Sequence, residues 1–183
     1  MIDYTELYRL SHMITPLKGD CGDLCGKVCC LPREDTDLGV YLFPGEEAMF
    51  SGQEDWLRWE QRRPAQDNFP ASWQAPLYFI TCLKPCPRAN RPLNCRFFPL
   101  APHILGDRTL LLIHETMPLT YTCPLIAHQS PLEGDFVHMV GKCWQILLRD
   151  PRIRDLVLLD SREREERGLV PSIVTLVQEA LPI

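Results

Sequence analysis

Cysteines are the residues of this chain best suited to do chemistry, and there are nine of them. Four form a Cys-x3-Cys-x3-Cys-Cys run, three form a Cys-x3-Cys-x8-Cys run, and one stands in a later Cys-Pro pair. These eight are Cys21, Cys25, Cys29, Cys30, Cys82, Cys86, Cys95 and Cys123. Thiolates bind soft metals, whereas calcium and magnesium prefer oxygen ligands. The pattern predicts that all eight bind zinc, or iron as an iron–sulfur cluster such as 4Fe-4S.

The surroundings of these cysteines favour metal ligation over burial as small apolar side chains. They lie beside glycine or proline in predicted loops, where several sulfurs can turn toward one point. Gly22 and Gly26 let backbone amides approach the thiolates. The cations that could offset the charge of a thiolate site are Lys18, Lys27, Arg33, Arg91 and Arg96. Four thiolates suffice for one zinc or one four-iron cluster, so eight allow either one site or two.

Three further readings concern individual residues. Cys143 is predicted to be a core residue, because it lies on the apolar stripe of a predicted helix beside Trp144. The adjacent Cys29 and Cys30 also permit a redox disulfide as an alternative to metal binding. His128, five residues after Cys123, is a further possible ligand, although an isolated histidine in a polar loop usually faces solvent.

A second motif carries a family resemblance. Arg91-Pro-Leu-Asn-Cys-Arg-Phe-Phe-Pro99 resembles the Arg-Pro-x-x-Cys-Arg-x-Phe-Pro signature of a zinc- or iron-chelating family whose other hallmark is Cys-x2-Cys-x2-Cys-Cys. The cysteine pattern is also similar to that of flagellin lysine N-methylases, which implies an iron–sulfur cluster. The resemblance covers about residues 20 to 125. Both spacers of the first motif are one residue longer here, and the aromatic residue usual between Cys86 and Arg91 is missing, with that spacer one residue short.

The remaining residues of this second motif have expected roles around the metal. Pro92 and Pro99 would shape the loop, because proline fixes its backbone torsion. Arg96 would offer guanidinium donors to the site, with a surface ion pair as the ordinary alternative. Phe97 or Phe98 would cover the site from water.

Known nucleotide and hydrolase signatures are missing from the chain. Its ten glycines contain no Gly-x-Gly pair, and neither Gly-x-Ser-x-Gly nor His-Glu-x-x-His occurs. No catalytic residue and no site for an organic cofactor is therefore identified. Three functions stay open: a metal-binding protein, a cluster-dependent redox or methylase-like enzyme, and a protein interaction module. The module would use the acidic surface or the charged run Ser161–Arg167, which otherwise is a solvated helical face.

Net charge and hydropathy indicate which binding partners and which cellular location to expect. The net charge of −5 disfavours binding to nucleic acid. Asp3 and Glu6 stand where a signal peptide would carry basic and then apolar residues. No stretch approaches the roughly 18 apolar residues of a membrane span. The sequence predicts a cytoplasmic protein whose expected partner is a metal ion or cluster, with no membrane contact.

The fold expected from these patterns is α+β: a mostly helical single domain over residues 1–183 with a small sheet. An irregular, proline-rich, metal-stapled region covers about residues 20–125, followed by a C-terminal helical segment at about 131–181. Helices are predicted from Asp3 to Pro16, around residues 46–60, over 132–148, from Pro151 onward and over 173–181. Strands are predicted at 39–43, 77–81 and 109–114.

Overall fold

The computed structural model describes residues 2–31, 38–169 and 171–178. It contains five α-helices and two three-stranded antiparallel sheets, with 37% helix and 18% strand. The fold is therefore mixed α+β, and the expectation of a mostly helical domain with one small sheet is wrong. No helix in this part of the chain is both long and apolar enough to cross a membrane.

The helices and strands have the following bounds. The α-helices are α1 (Tyr4–Leu10), α2 (Leu93–Phe97), α3 (Pro124–Ala127), α4 (Gly134–Leu147) and α5 (Pro151–Glu166). The strands are β1 (Gly39–Tyr41), β2 (Leu57–Arg62), β3 (Leu77–Cys82), β4 (Leu100–Ile104), β5 (Leu110–His114) and β6 (Ile173–Gln178). Short 3-10 turns cover Cys21–Leu24, Val28–Cys30, Glu46–Met49, Pro64–Gln66 and Arg88–Asn90.

The first sheet has the strand order β1-β3-β2. Its β2 strand replaces the helix expected through Trp59. The side chains there alternate: Leu57 is buried, Arg58 is exposed, Trp59 is half-buried and Glu60 is exposed. That period of two fits a strand with one covered face, whereas a helix needs a period near 3.6.

The second sheet has the order β4-β5-β6 and corrects two further expectations. Ile173–Gln178 is a strand paired with β5 and not part of a helix, because consecutive β-branched residues favour extended backbone beside an open strand edge. Residues 179–181 of the expected helix lie outside the described residues. The β4 strand was missed because it contains Pro102, which an edge strand tolerates.

The helices surround the main core, and most of the helical predictions are confirmed. Asp3 caps α1 by accepting from the Glu6 amide, although α1 ends earlier than expected, at Leu10. Cys143 in α4 is 0% exposed, as predicted for a core residue. Pro151 opens α5 after the cap Asp150.

The charged run at the end of α5 is only partly solvated. Ser161 is buried, donates its hydroxyl hydrogen to the carbonyl of Val157 and accepts from the amide of Ile104. Arg164 donates to the Thr116 hydroxyl at 2.9 Å. Part of this run therefore fixes α5 to β4 instead of facing water.

Candidate metal centre

Six separate pieces of backbone carry the eight predicted ligand cysteines. Cys21 opens one 3-10 turn, Cys25 ends it as the C-terminal cap, and Cys29 and Cys30 lie in the next turn. Cys82 is the last residue of β3. The others occupy the following loop (Cys86), helix α2 (Cys95) and the N-cap of α3 (Cys123). Cys123 is buried and the other seven are half-buried.

Arg91 lies among these thiols. Its guanidinium donates a hydrogen bond to Cys86, and Cys30 and Cys95 are close enough to act on it electrostatically. Burial lowers the pKa of Arg91, but the bond to Cys86 and these sulfurs raise it more, so the net shift is upward. The Nε atom of Arg91 is buried without a hydrogen-bond partner in the described part of the chain. The loop therefore holds a permanent positive charge against the cysteines.

Two close sulfur contacts involve Cys30. Its Sγ lies 3.7 Å from that of Cys29, and the thiol of Cys86 is hydrogen-bonded to it from another part of the chain. The hydrogen bond with Cys29, followed by burial, raises the pKa of Cys30 to about 11, although the bond with Cys86 acts in the opposite direction. The two cysteine-rich runs thus approach each other at Cys30 and Cys86.

Cys95 extends this contact into a group of four. Burial raises the pKa of Cys95 well above its usual value, and the neighbouring thiols of Cys82, Cys86 and Cys30 raise it further. Burial likewise raises the pKa of Cys82 to about 11, with Cys86 as the next cause. We call Cys30, Cys82, Cys86 and Cys95 the Arg91 group.

The other four cysteines lie beside this group. Burial raises the pKa of Cys21, as do Asp20 and the thiols of Cys25 and Cys123. Burial also raises the pKa of Tyr121, and the sulfurs of Cys29, Cys123, Cys95 and Cys30 add to this shift. The phenol of Tyr121 therefore adjoins both the Arg91 group and the second group, which consists of Cys21, Cys25, Cys29 and Cys123. All eight predicted ligands are gathered in one region.

The thiols are gathered but do not yet surround a point. Within residues 2–31, 38–169 and 171–178, no three histidine, cysteine or carboxylate side chains form a ready-made metal-binding group. All nine cysteines are free thiols.

Arg96 has a different role from the one expected. It is 8% exposed and donates to the carbonyls of Arg91 at 2.6 Å and Ala89 at 2.7 Å, and to the Ser11 hydroxyl at 3.1 Å. Its guanidinium also lies 4.3 Å from the ring centre of Tyr8. Arg96 is neither a donor to the thiols nor half of a surface ion pair. It fastens the loop that carries Arg91 onto α1.

Glu46 is a functional element that sequence reasoning missed. Its carboxylate is 0% exposed and accepts from the amides of Phe43 and Leu93 and from the hydroxyl of Tyr8. Burial raises the pKa of Glu46, and these hydrogen bonds oppose the shift. Because Leu93 begins α2, Glu46 fixes the short helix that contains Cys95. Glu46 follows Gly45 and precedes Glu47, and two consecutive carboxylates are typical of a helix N-terminus and give no signal for such burial.

The glycines and cations near the first cysteine run serve the backbone more than the thiols. A Cβ on Gly22 would lie 2.5 Å from the Cγ of Lys27. Gly26 has φ +62, a left-handed conformation that glycine adopts without strain. Lys27 lies 3.5 Å from Asp20 in an ion pair. These residues shape the first cysteine turn.

Four other expectations concern single residues. Lys18 and His128 are exposed, and Arg33 lies outside the described residues. Phe97 is 1% exposed in the main core, with its ring 5.8 Å from that of Trp144, and Phe98 is half-buried, so the expected cover over the thiols stays a prediction.

The prolines of the second motif flank helix α2. Pro92 is extended and forms the N-cap of α2. Pro99 follows that helix and accepts from the Glu115 amide at 2.9 Å. Their expected roles in shaping the loop stay predictions.

No family model, curated protein or solved structure matches the chain. The resemblance carried by the cysteine runs and by Arg91–Pro99 therefore stays an expectation, and the thiol region itself must carry the functional interpretation.

Proposed function

We propose that this protein binds zinc or an iron–sulfur cluster through its eight loop cysteines. The observation that carries the proposal is their proximity: residues from Cys21 to Cys123, on separate turns, strands and helices, are near enough to influence one another electrostatically. Cys143, by contrast, is buried in the apolar core. Eight cysteines thus lie near one another, whereas the ninth, Cys143, packs in the core.

The chemistry of the donor set supports a soft metal. Donor sets made only of thiolates are typical of tetrahedral zinc and of iron–sulfur clusters. Arg91 can offset part of the negative charge that four thiolates leave on a divalent ion, and its unpartnered Nε can donate to a bound thiolate.

The division of the cysteines into two groups supports two metal sites with four ligands each. The Arg91 group would supply one complete set of four thiolates. Cys21, Cys25, Cys29 and Cys123 would supply a second set, and Tyr121 is near members of both sets. Each set has the four ligands that one zinc or one four-iron cluster requires.

A structural contribution of the metal follows from the local fold. The cysteine turns at 21–30 contain no regular helix or strand, and the connections around Cys86 and Cys123 are loops or single turns. Metal binding would supply folding free energy where side-chain packing is sparse. We also infer a cytoplasmic location, because reducing conditions keep so many thiols free for metal. The net charge of −5 supports a metal partner over nucleic acid.

Metal analysis of freshly purified protein tests this function. The protein would be prepared both aerobically and without oxygen, and zinc and iron would be quantified per chain beside the visible spectrum. We expect a stoichiometric amount of one metal, with absorbance near about 400 nm if it is an iron–sulfur cluster. Both preparations lacking zinc and iron, with neither taken up on reconstitution, would refute the proposal.

A further inference from the structure

Strand β6 forms an outer edge of the second sheet, and nothing in the described part of the chain pairs with its free side. Its six residues, Ile-Val-Thr-Leu-Val-Gln, carry no charge. Ile173 is 61% exposed and Leu176 is 52% exposed. Proteins usually protect such edges, because unpaired amide and carbonyl groups attract another strand.

The other outer strands of the two sheets are protected. Strand β2 carries the charged residues Arg58, Glu60 and Arg62. Strand β1 has only three residues, and β4 is packed against α5 through Ser161, whose hydroxyl accepts from the Ile104 amide. An edge that is long, uncharged and apolar is thus peculiar to β6 among the described strands.

A groove of about 590 Å³ runs between β6 and α4. Its floor includes Leu132, Val137, Val174 and Leu176. The helix and the strand run in the same direction, because Gly141 adjoins Val177 and the Gln145 side chain donates to that of Gln178 at 3.3 Å. Apolar surface and an open strand edge are therefore adjacent along the length of β6.

The exposed side of α4 carries charges of opposite sign. Asp135 lies in the first turn, Lys142 lies two turns later, and His138 lies between them. All three are exposed, and neither Asp135 nor Lys142 forms an ion pair within the described residues. Seven residues of helix separate the two charges by about 10 Å along its axis.

We propose that two copies of this chain form a two-fold symmetric dimer through antiparallel pairing of their β6 strands. The two sheets would join into one sheet of six strands, and both α4 helices would lie on the same face of it in opposite directions. Asp135 of each copy would then lie beside Lys142 of the other, which repeats the favourable charge contact twice. The two apolar grooves would meet and cover Leu176. The proposal is independent of metal binding.

Charge exchange tests this dimer without altering the core. Wild-type protein should sediment with twice the chain mass of 21.1 kDa. Lys142→Asp places two carboxylates together at each contact, and Asp135→Lys places two ammonium groups together. Each variant alone should dimerise at least about tenfold more weakly at low salt, where charges are least screened. An equal mixture should recover the wild-type affinity, because the two variants restore both opposite-charge contacts between them.

A strand variant provides the second measurement. Leu176→Lys puts a charge on the edge itself and should give a monomer with an unchanged circular dichroism spectrum, because the native side chain is 52% exposed. A monomeric wild type at about 100 µM would overturn the proposal. So would unchanged dimerisation of the three variants, or a mixture that associates no better than its components.

Discussion

The amide of Leu93 donates a hydrogen bond of 2.8 Å to the buried carboxylate of Glu46, 47 residues earlier in the chain. The same carboxylate accepts from Tyr8 in α1 and from the amide of Phe43. One side chain thus joins the N-terminal helix, the end of the β1 segment and the start of the helix that carries Cys95. The position of that cysteine depends on a residue that would never bind the metal.

Replacing Glu46 should be strongly destabilising. Glu46→Ala leaves the amides of Phe43 and Leu93 and the hydroxyl of Tyr8 without a buried acceptor, and each unpaired group costs about 1 to 3 kcal/mol. We expect the free energy of unfolding to fall by about 3 kcal/mol or more, measured by urea titration. Glu47→Ala is the control, because Glu47 accepts only an exposed bond from Gly45 and should cost less than about 1 kcal/mol. Equal effects would contradict the role of Glu46.

Cysteine substitutions should separate ligands from the packing residue. Cys95→Ser and Cys30→Ser should lower the metal content per chain and the melting temperature, because loss of one thiolate also removes folding free energy. Cys143→Ala should keep its metal and cost about 1 to 2 kcal/mol as a small core truncation. Metal loss from Cys143→Ala equal to that from Cys95→Ser would show that the grouping does not identify ligands.

Arg91 should tune the metal site through its charge. We expect Arg91→Gln to weaken metal binding by about 10- to 100-fold, the usual effect of losing a hydrogen-bond donor behind a ligand. Arg91→Lys keeps the charge and should retain more affinity. Competition with a chromogenic chelator measures the metal affinity of wild type, Arg91→Gln and Arg91→Lys. Exposed Arg149→Gln serves as the control. Identical affinities for Arg91→Gln and Arg149→Gln would exclude this role.

Asp160 in α5 should make stability depend on pH. Burial raises the pKa of this carboxyl from 3.8 to about 6, Arg164 opposes the shift, and Glu115 and Glu163 add to it. The unfolded chain therefore ionises Asp160 at lower pH than the folded chain does. The free energy of unfolding falls as pH rises through this window and the effect is complete above it.

Asp160→Asn removes this penalty. Relative to wild type, the variant should gain up to about 2 kcal/mol between pH 4 and pH 7.5 in urea titrations. Asp155→Asn, on the same helix, is the control, and its free energy of unfolding should change with pH in the same way as that of wild type. If the free energy of unfolding of Asp160→Asn also changed with pH in the same way as that of wild type, Asp160 would not be the source of the pH dependence.

Local patterns in the sequence identified the elements whose residues interact with near neighbours. The cap Asp3, the α4 stripe through Cys143 and the helix opened by Pro151 were all predictable. Strand β6 was not, because its apolar residues also suit an amphipathic helix and only the open edge of β5 decides between them. Tertiary pairing overrode a pattern that was ambiguous on its own.

The candidate site also combines features that the local sequence predicts with features that depend on tertiary contacts. Residue type and spacing marked the cysteines, but the partners of the two arginines depend on where distant segments meet. Arg96 turns toward α1 and Arg91 toward the sulfurs, although both belong to one motif. The burial of Glu46 was equally inaccessible, because its three hydrogen-bond partners come from three separate elements.

The pairing of β5 with β6 has a consequence for the order of synthesis. Strand β5 consists of four apolar residues and His114, all buried, and β6 is translated roughly 60 residues later. Until β6 leaves the ribosome, one side of β5 has no native partner, and its Leu-Leu-Leu-Ile run has the composition of a segment prone to aggregate. Helices α4 and α5 are made in that interval. Docking of α4 over Leu112 and of α5 beside β4, as in the folded structure, would cover this sheet while its last strand is still being made.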